Sequence, residues 1–105
     1  MNLALFLWVL YLTLTPLPYS CRASWYQSGH VTANGERFRP DGLTAAHLAY
    51  PFGTKLRVTY QGRSVVARIS DRGPYVPGRC IDLSRGTAKA IGFTGVHIVM
   101  LEKVL

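Results

Sequence analysis

The sequence predicts a mainly β domain, about six short strands with one or two short helices, closed or nearly closed into a small barrel. Three observations carry this reading. Residues 55–60 (KLRVTY) and 63–70 (RSVVARIS) alternate apolar and polar side chains on either side of Gln61-Gly62, the pattern of a β-hairpin. Clusters of Gly, Pro, Asn and Asp interrupt the rest of the chain and leave no room for a long helix. A domain this small has few strands to protect, and closure removes the exposed edges that an open sheet would show.

The first element is not part of the barrel. No Lys, Arg, Asp or Glu occurs before Arg22, and residues 3–12 (LALFLWVLYL) are apolar throughout. That run is short of the ~20 residues a membrane-spanning helix needs. Pro16 and Pro18 stop any helix, and small residues follow at Ser20, Cys21 and Ala23. Residues 1–21 therefore read as a secretory signal peptide or as an N-terminal anchor that stays attached, although the charged N-terminal patch of a signal peptide is reduced to the terminal amine. Residues 17–21 (LPYSC) loosely resemble a lipobox, in which Cys21 would be lipidated. The chain is expected to be exported.

Residues 22–105 form one domain. Residues 22–26 (RASWY) read as a short strand, and residues 27–43 as loop with a tight turn at Asn34-Gly35. Residues 43–49 are read as a helical turn ended by Pro51 and Gly53. In the hairpin, Leu56, Val58 and Tyr60 share one face, and Val65, Ala67 and Ile69 share another. A period of two carries Asp71 onto that same inward row, at the end of the core. Residues 72–79 (RGPYVPGR) form a rigid loop, and residues 81–83 a short strand. Ser84 can cap a helix over 85–91, with Gly92 at its end. Residues 96–105 make a last strand or strand pair.

Charge and cysteines narrow the function. Twelve Lys and Arg against five Asp and Glu give a formal net charge of +7. The basic residues are spread along the domain, which suits solubility or attraction to an anionic cell-wall polymer or membrane surface. No helix-turn-helix or RNA-recognition pattern is present, and nucleic acid is a poor partner for an exported protein. Cys21 and Cys80 show no CxxC spacing and the three His are scattered, so no metal site or other cofactor is expected. In an oxidising compartment a Cys21–Cys80 disulfide is expected. Two other readings stay open: lipidation of Cys21, and cleavage after Ala23 that leaves Cys80 as a buried small hydrophobe.

Several blocks together resemble the rare lipoprotein A-like (RlpA-like) family. They are ASWY at 23–26, TANGERF at 32–38, LTAAH at 43–47, PFGTKLRV at 51–58, GRSVVARISDRGPY at 62–75 and GRCIDLS at 78–84, followed by the closing stretch 95–105. The resemblance covers residues 22–105. It implies a six-stranded double-psi β-barrel related to the first domain of expansins. The best-understood members are endolytic peptidoglycan lytic transglycosylases that act on glycan strands lacking stem peptides. Other members are not shown to be enzymes, so a non-catalytic, expansin-like wall-binding or wall-loosening module is the alternative.

The resemblance assigns three candidate catalytic residues, Glu36 of TANGE, His47 of TAAH and Asp71 of SDRGP. The implied reaction breaks a MurNAc-β-1,4-GlcNAc bond without water. A group protonates the leaving oxygen, and a base takes the proton of the C6 hydroxyl as the 1,6-anhydro ring closes. One carboxyl can act as acid and then as base, with its pKa raised. Asp71 is the candidate. His47 would orient Asp71 or donate to the sugar, and Glu36 would fix His47 or a sugar hydroxyl. Trp25, Tyr26, Phe52, Arg72 and Tyr75 are candidate substrate contacts. Asp82 reads as a structural residue that pins a loop or helix start. His30 and His97 receive no role. The expected partner is peptidoglycan glycan in the periplasm or cell envelope, met by a monomer, with membrane association through the N-terminal segment or a lipidated Cys21 left open.

Overall fold

The computed structural model describes residues 17–104. The signal-peptide reading of residues 1–21 falls largely outside the described residues. Six strands close into a barrel in the order β1-β5-β2-β4-β3-β6. They are β1 (Tyr19–Tyr26), β2 (Thr44–His47), β3 (Lys55–Tyr60), β4 (Arg63–Asp71), β5 (Ile81–Ser84) and β6 (His97–Lys103), with one described helix, α1 (Arg85–Ala90). No helix of the described residues is long and apolar enough to cross a membrane.

The hairpin β3–β4 forms in the register that its alternation predicts, with Leu56 opposite Ala67 and Val58 opposite Val65. Gln61 and Gly62 both have positive φ, 48° and 78°, the turn whose twist matches two antiparallel strands. Leu56, Val58, Ala67, Ile69, Ile81, Leu83, Val99 and Leu101 fill the interior from four strands, all essentially inaccessible. Ile91 and Phe93 join the same core.

Three local expectations change. Residues 44–47 are a strand, not a helical turn. Ala45 and Ala46 are good helix formers, but β2 pairs parallel with β4 and antiparallel with β5, and that pairing outweighs propensity. The first strand starts at Tyr19 rather than at 22, because Tyr19, Ser20 and Cys21 pair with Leu101, Met100 and Val99 of β6. The C-terminal stretch is a single strand, one of the two forms expected of it.

The third change matters most for chemistry. Ala45 lies opposite Ile69, but Ala46 lies opposite Asp71, so Ser70 is an extra residue in β4. Such a bulge breaks the period of two. Ala45 and Ile69 face the interior. Ala46, and with it Asp71, therefore faces the outer side of the wall rather than the inward row.

The loop between β1 and β2 lies against this outer side. Asn34 N–H donates to the Ser70 carbonyl at 3.2 Å. Phe38 is buried and stacks on Tyr26, with ring centroids 4.8 Å apart. The far end of the loop is fastened to α1. Ser84 Oγ caps the helix by accepting from Thr87 N–H at 3.1 Å and donates to the Gly42 carbonyl at 2.6 Å. Gly86 N–H donates to the Pro40 carbonyl at 2.8 Å.

Cys21 of β1 is joined to Cys80 by a disulfide, with their Cα atoms 5.9 Å apart and 59 residues apart in sequence. Closing that span stabilises the barrel by about 4 kcal/mol in the chain-entropy account. Reduction should therefore lower the unfolding free energy by about 2–4 kcal/mol, read from urea titrations of the oxidised and reduced protein. A Cβ on Gly86 would stand 2.3 Å from the Asp41 carbonyl oxygen. Gly86→Ala should cost about 1–3 kcal/mol in the same assay and loosen the loop at 39–42.

Candidate active site

Register alone places four residues in one lateral row across the outer wall. Ser24 of β1 lies opposite Asp82 of β5, Asp82 lies opposite Ala46 of β2, and Ala46 lies opposite Asp71 of β4. Residues opposed in this way point to the same side. Asp71 is thus delivered by a strand end, beside a second carboxyl that the sequence reading had treated as structural.

Asp71 is half-buried. Its Oδ1 accepts the backbone N–H of Ala33 and of Arg72, each at 2.9 Å. Ala33 belongs to the TANGE loop, so the loop grips the carboxyl from above while the start of the next loop holds it from behind. Among the described residues Oδ2 receives no hydrogen bond, and the buried Tyr26 hydroxyl lies close to the carboxyl.

Glu36 does not meet His47. It forms a two-pronged ion pair with Arg68 of β4, at 2.9 and 3.1 Å, and accepts from the Asn34 side-chain amide at 3.2 Å. The Arg68 hydrogen bonds hold its carboxyl below the ordinary range. Asn34 Oδ1 in turn accepts from Glu36 N–H at 3.1 Å, so the turn is locked on itself. Glu36 acts by fixing the loop that supplies the Ala33 donor. A cavity of about 250 Å³ lies beneath this loop, lined by Thr32, Glu36, Phe38, Arg68 and Ser70 among others; neither Asp71 nor His47 borders it.

His47 ends β2 next to the end of β4. It lies opposite Ile81 and is half-buried. The expected His47–Asp71 hydrogen bond is not made. Nδ1 accepts instead from Ala49 N–H at 3.0 Å and Tyr50 N–H at 3.2 Å, and the ring packs against Tyr50 at 4.5 Å. An accepting Nδ1 leaves the proton of the neutral ring on Nε2. Burial, then the Arg72 cation, lowers the pKa of His47, which keeps the ring neutral.

The aromatic candidates separate into three places. Phe52 and Tyr75 lie in loops flanking the strand ends and are 42% and 78% exposed. The Arg72 guanidinium sits 3.9 Å from the Phe52 ring centroid and donates to the His47 carbonyl at 3.1 Å. Tyr26 stays with the row, with one ring face taken by Phe38. Its hydroxyl is buried without a hydrogen-bond partner among the described residues. Burial, then the charges of Asp71 and Asp82, push that hydroxyl well above its ordinary pKa. Trp25 points elsewhere. It lines a separate cavity of about 390 Å³ with Gln27, Arg85, Ala88 and Phe93.

Asp82, which reads from sequence as a structural residue, joins this row. Its carboxyl accepts Ser24 Oγ at 3.1 Å. Burial is the main cause that raises its pKa, and the charge of Asp71 adds to it. Ser24 and Arg79 offset part of the rise. The available signal was its place between Ile81 and Leu83, two core residues of one strand, which sets its carboxyl on the face opposite the core.

Comparisons with known proteins agree with this architecture. A family model described as "Lytic transglycolase" matches residues 19–102. The "Probable endolytic peptidoglycan transglycosylase RlpA" of Synechocystis sp. is 55% identical over 89 residues, covering 78% of this chain and 28% of that protein. The "Endolytic peptidoglycan transglycosylase RlpA" of Yersinia pestis is 50% identical over 76 residues, covering 70% of this chain and 21% of that protein. The chain thus spans less than a third of the length of these relatives. Among solved structures, Streptomyces papain inhibitor (SPI) superposes with a TM-score of 0.70 at 17% identity, over 88% of this chain and 98% of that one. The rationally designed apDPBB_sym_79 protein gives 0.63 at 18% identity, over 85% and 100%. At such identities these two speak for the barrel alone.

The histidine geometry gives a prediction. Nitrogen-detected NMR should find His47 neutral at pH 7 with its proton on Nε2. Its titration midpoint should lie below the ordinary histidine value, and Arg72→Ala should move it upward by removing a neighbouring cation. A downward or absent shift contradicts the assigned environment.

Proposed function

The chain belongs to the lytic transglycolase family of double-psi β-barrels, and from that membership we propose that it cleaves peptidoglycan glycan strands as an endolytic lytic transglycosylase. The relatives named RlpA supply the reaction class. The observation that carries the reading to this chain is the placement of Asp71. A bulge turns it onto the outer side of the wall, where it is half-buried and one oxygen is held by two backbone donors.

In this reading Asp71 exchanges protons with the sugar. The Ala33 and Arg72 amides fix its angle, so little orientation is lost when substrate arrives. Arg72 and Phe52 form a flat cationic-aromatic ledge at the strand end, and Tyr75 a second aromatic surface, suited to hold sugar rings on either side of the scissile bond. Neutral His47, with Nε2–H available, can donate to a sugar oxygen but does not orient Asp71. Glu36 and Arg68 hold the TANGE loop as a positioning pair. The substrate is glycan freed of stem peptides, whose exposed lactyl carboxylates suit a chain of net charge +7.

We place the protein, as a monomer, in the cell envelope, exported by its apolar N-terminal segment. We place the start of the barrel domain at Tyr19, where β1 begins, rather than at 22, with the export segment ahead of it. Cys21 Sγ is bonded to Cys80, which favours the N-terminal segment over a lipidated Cys21 as any route to the membrane.

One observation favours the non-catalytic alternative. The local Arg72 N–H on Asp71 Oδ1 also suits a carboxylate that serves its own turn. The experiment is product analysis on amidase-treated sacculi. The wild type should release 1,6-anhydro-MurNAc fragments. Asp71→Asn should lower that release by about 100-fold or more while sacculus binding persists. Full activity in Asp71→Asn removes the assignment, and wild-type binding without any anhydro product supports the wall-binding module.

A further inference from the structure

The outer row holds two carboxyls, and the reading above uses one. Asp82 and Asp71 are separated by a single strand, β2, and at that level β2 presents only the methyl group of Ala46. Two strand spacings set their Cα atoms about 10 Å apart, close to the range of about 5–9.5 Å over which paired glycosidase carboxyls act. A bulky residue at 46 would wall them off from each other; the small, buried side chain of Ala46 does not. Tyr26 borders both carboxyls with a buried hydroxyl.

We propose that Asp82 is a second catalytic residue of this site, giving its proton to the departing sugar oxygen while Asp71 takes the proton of the C6 hydroxyl. This rests on the transglycosylase reading and divides the acid and base roles between two groups. The balance is complete. The bond from MurNAc C1 to the GlcNAc O4 breaks, and O4 leaves with the Asp82 proton. The C6 oxygen bonds C1, and its proton passes to Asp71. One proton returned from Asp71 to Asp82 restores the starting state, with no water or other reactant consumed.

The environments suit the division. Burial raises the pKa of Asp82, and the nearby charge of Asp71 adds to the rise. Asp71 receives two backbone N–H donors, the arrangement of an accepting carboxylate. The groups facing Asp82 are Ser24 and Tyr26 of β1, Ala46 of β2, Asp71 of β4, and Arg79 of the preceding loop. Of these, Ser24 gives a selective handle. Its hydroxyl supports the charged form of Asp82.

The test uses the full chain on amidase-treated sacculi, with anhydro-product release measured across pH. Asp82→Asn should lower release by about 100-fold or more with sacculus binding retained. Ser24→Ala should keep most of the activity and move the basic limb of the pH profile up by about one unit, because the ionised form of Asp82 loses a donor. Asp82→Asn with undiminished release, in a preparation where Asp71→Asn is inactive, overturns the second-carboxyl proposal and leaves the first reading standing. So does an unmoved basic limb in Ser24→Ala, which holds even if Asp82→Asn folds poorly. A wild type that releases no anhydro product instead fails the transglycosylase reading itself.

Discussion

One extra residue in β4 decides what the barrel can offer. A regular pairing of β4 with β2 would have carried Asp71 into the row of Ala67 and Ile69, where an ionisable group meets a fully apolar interior. Burying a lone carboxyl there costs several kcal/mol. The mismatch at Ser70 turns Asp71 outward, into line with Ala46, Asp82 and Ser24. The same strand keeps an uninterrupted register with β3 on its other edge, from Lys55↔Arg68 to Tyr60↔Arg63. The closed wall is therefore preserved while one side chain is re-aimed, a use to which bulges near active sites are well suited.

The outward face would be an unremarkable surface without its cover. The β1–β2 loop reaches it through short polar links, Asn34 to Ser70, Ala33 to Asp71 and Glu36 to Arg68. None of these is individually large, since the ion pair is partly exposed and screened by solvent. Their collective effect is positional. The loop is pulled down at one end by Phe38 on Tyr26 and fastened at the other by Ser84 and Gly86 of the helix start. A helix of only six residues thus serves less as a structural mass than as an anchor for the loop that orients Asp71.

Local chemistry made some of this legible from sequence. The β3–β4 hairpin, its Gln61-Gly62 turn and the Ser84 cap are written in adjacent residues. Asn34-Gly35 announced its turn, and Cys21 with Cys80 its bridge. Features set by distant partners were not readable in the same way. Ala45 and Ala46 look helical until two flanking strands claim them. Nothing in RISD says that Ser70 has no partner, because a bulge is a property of the pairing between strands. The error in facing followed from that. His47 and Asp71 end neighbouring strands, yet no hydrogen bond joins them, because His47 Nδ1 accepts from the N–H groups of Ala49 and Tyr50. Asp82 was discounted because a carboxylate before Leu-Ser resembles a helix start, while its true neighbours, Ser24 and Ala46, are 58 and 36 positions away in sequence.

The outward row is the central claim, and a crystal structure of the Asp71→Asn protein with a bound tetrasaccharide of stem-peptide-free glycan tests it most directly. The row predicts a glycosidic oxygen lying above Ala46, between positions 71 and 82, with sugar rings against Phe52 and Tyr75. A glycan seated instead in the cavity beside Trp25 and Phe93, away from both carboxyl positions, contradicts it.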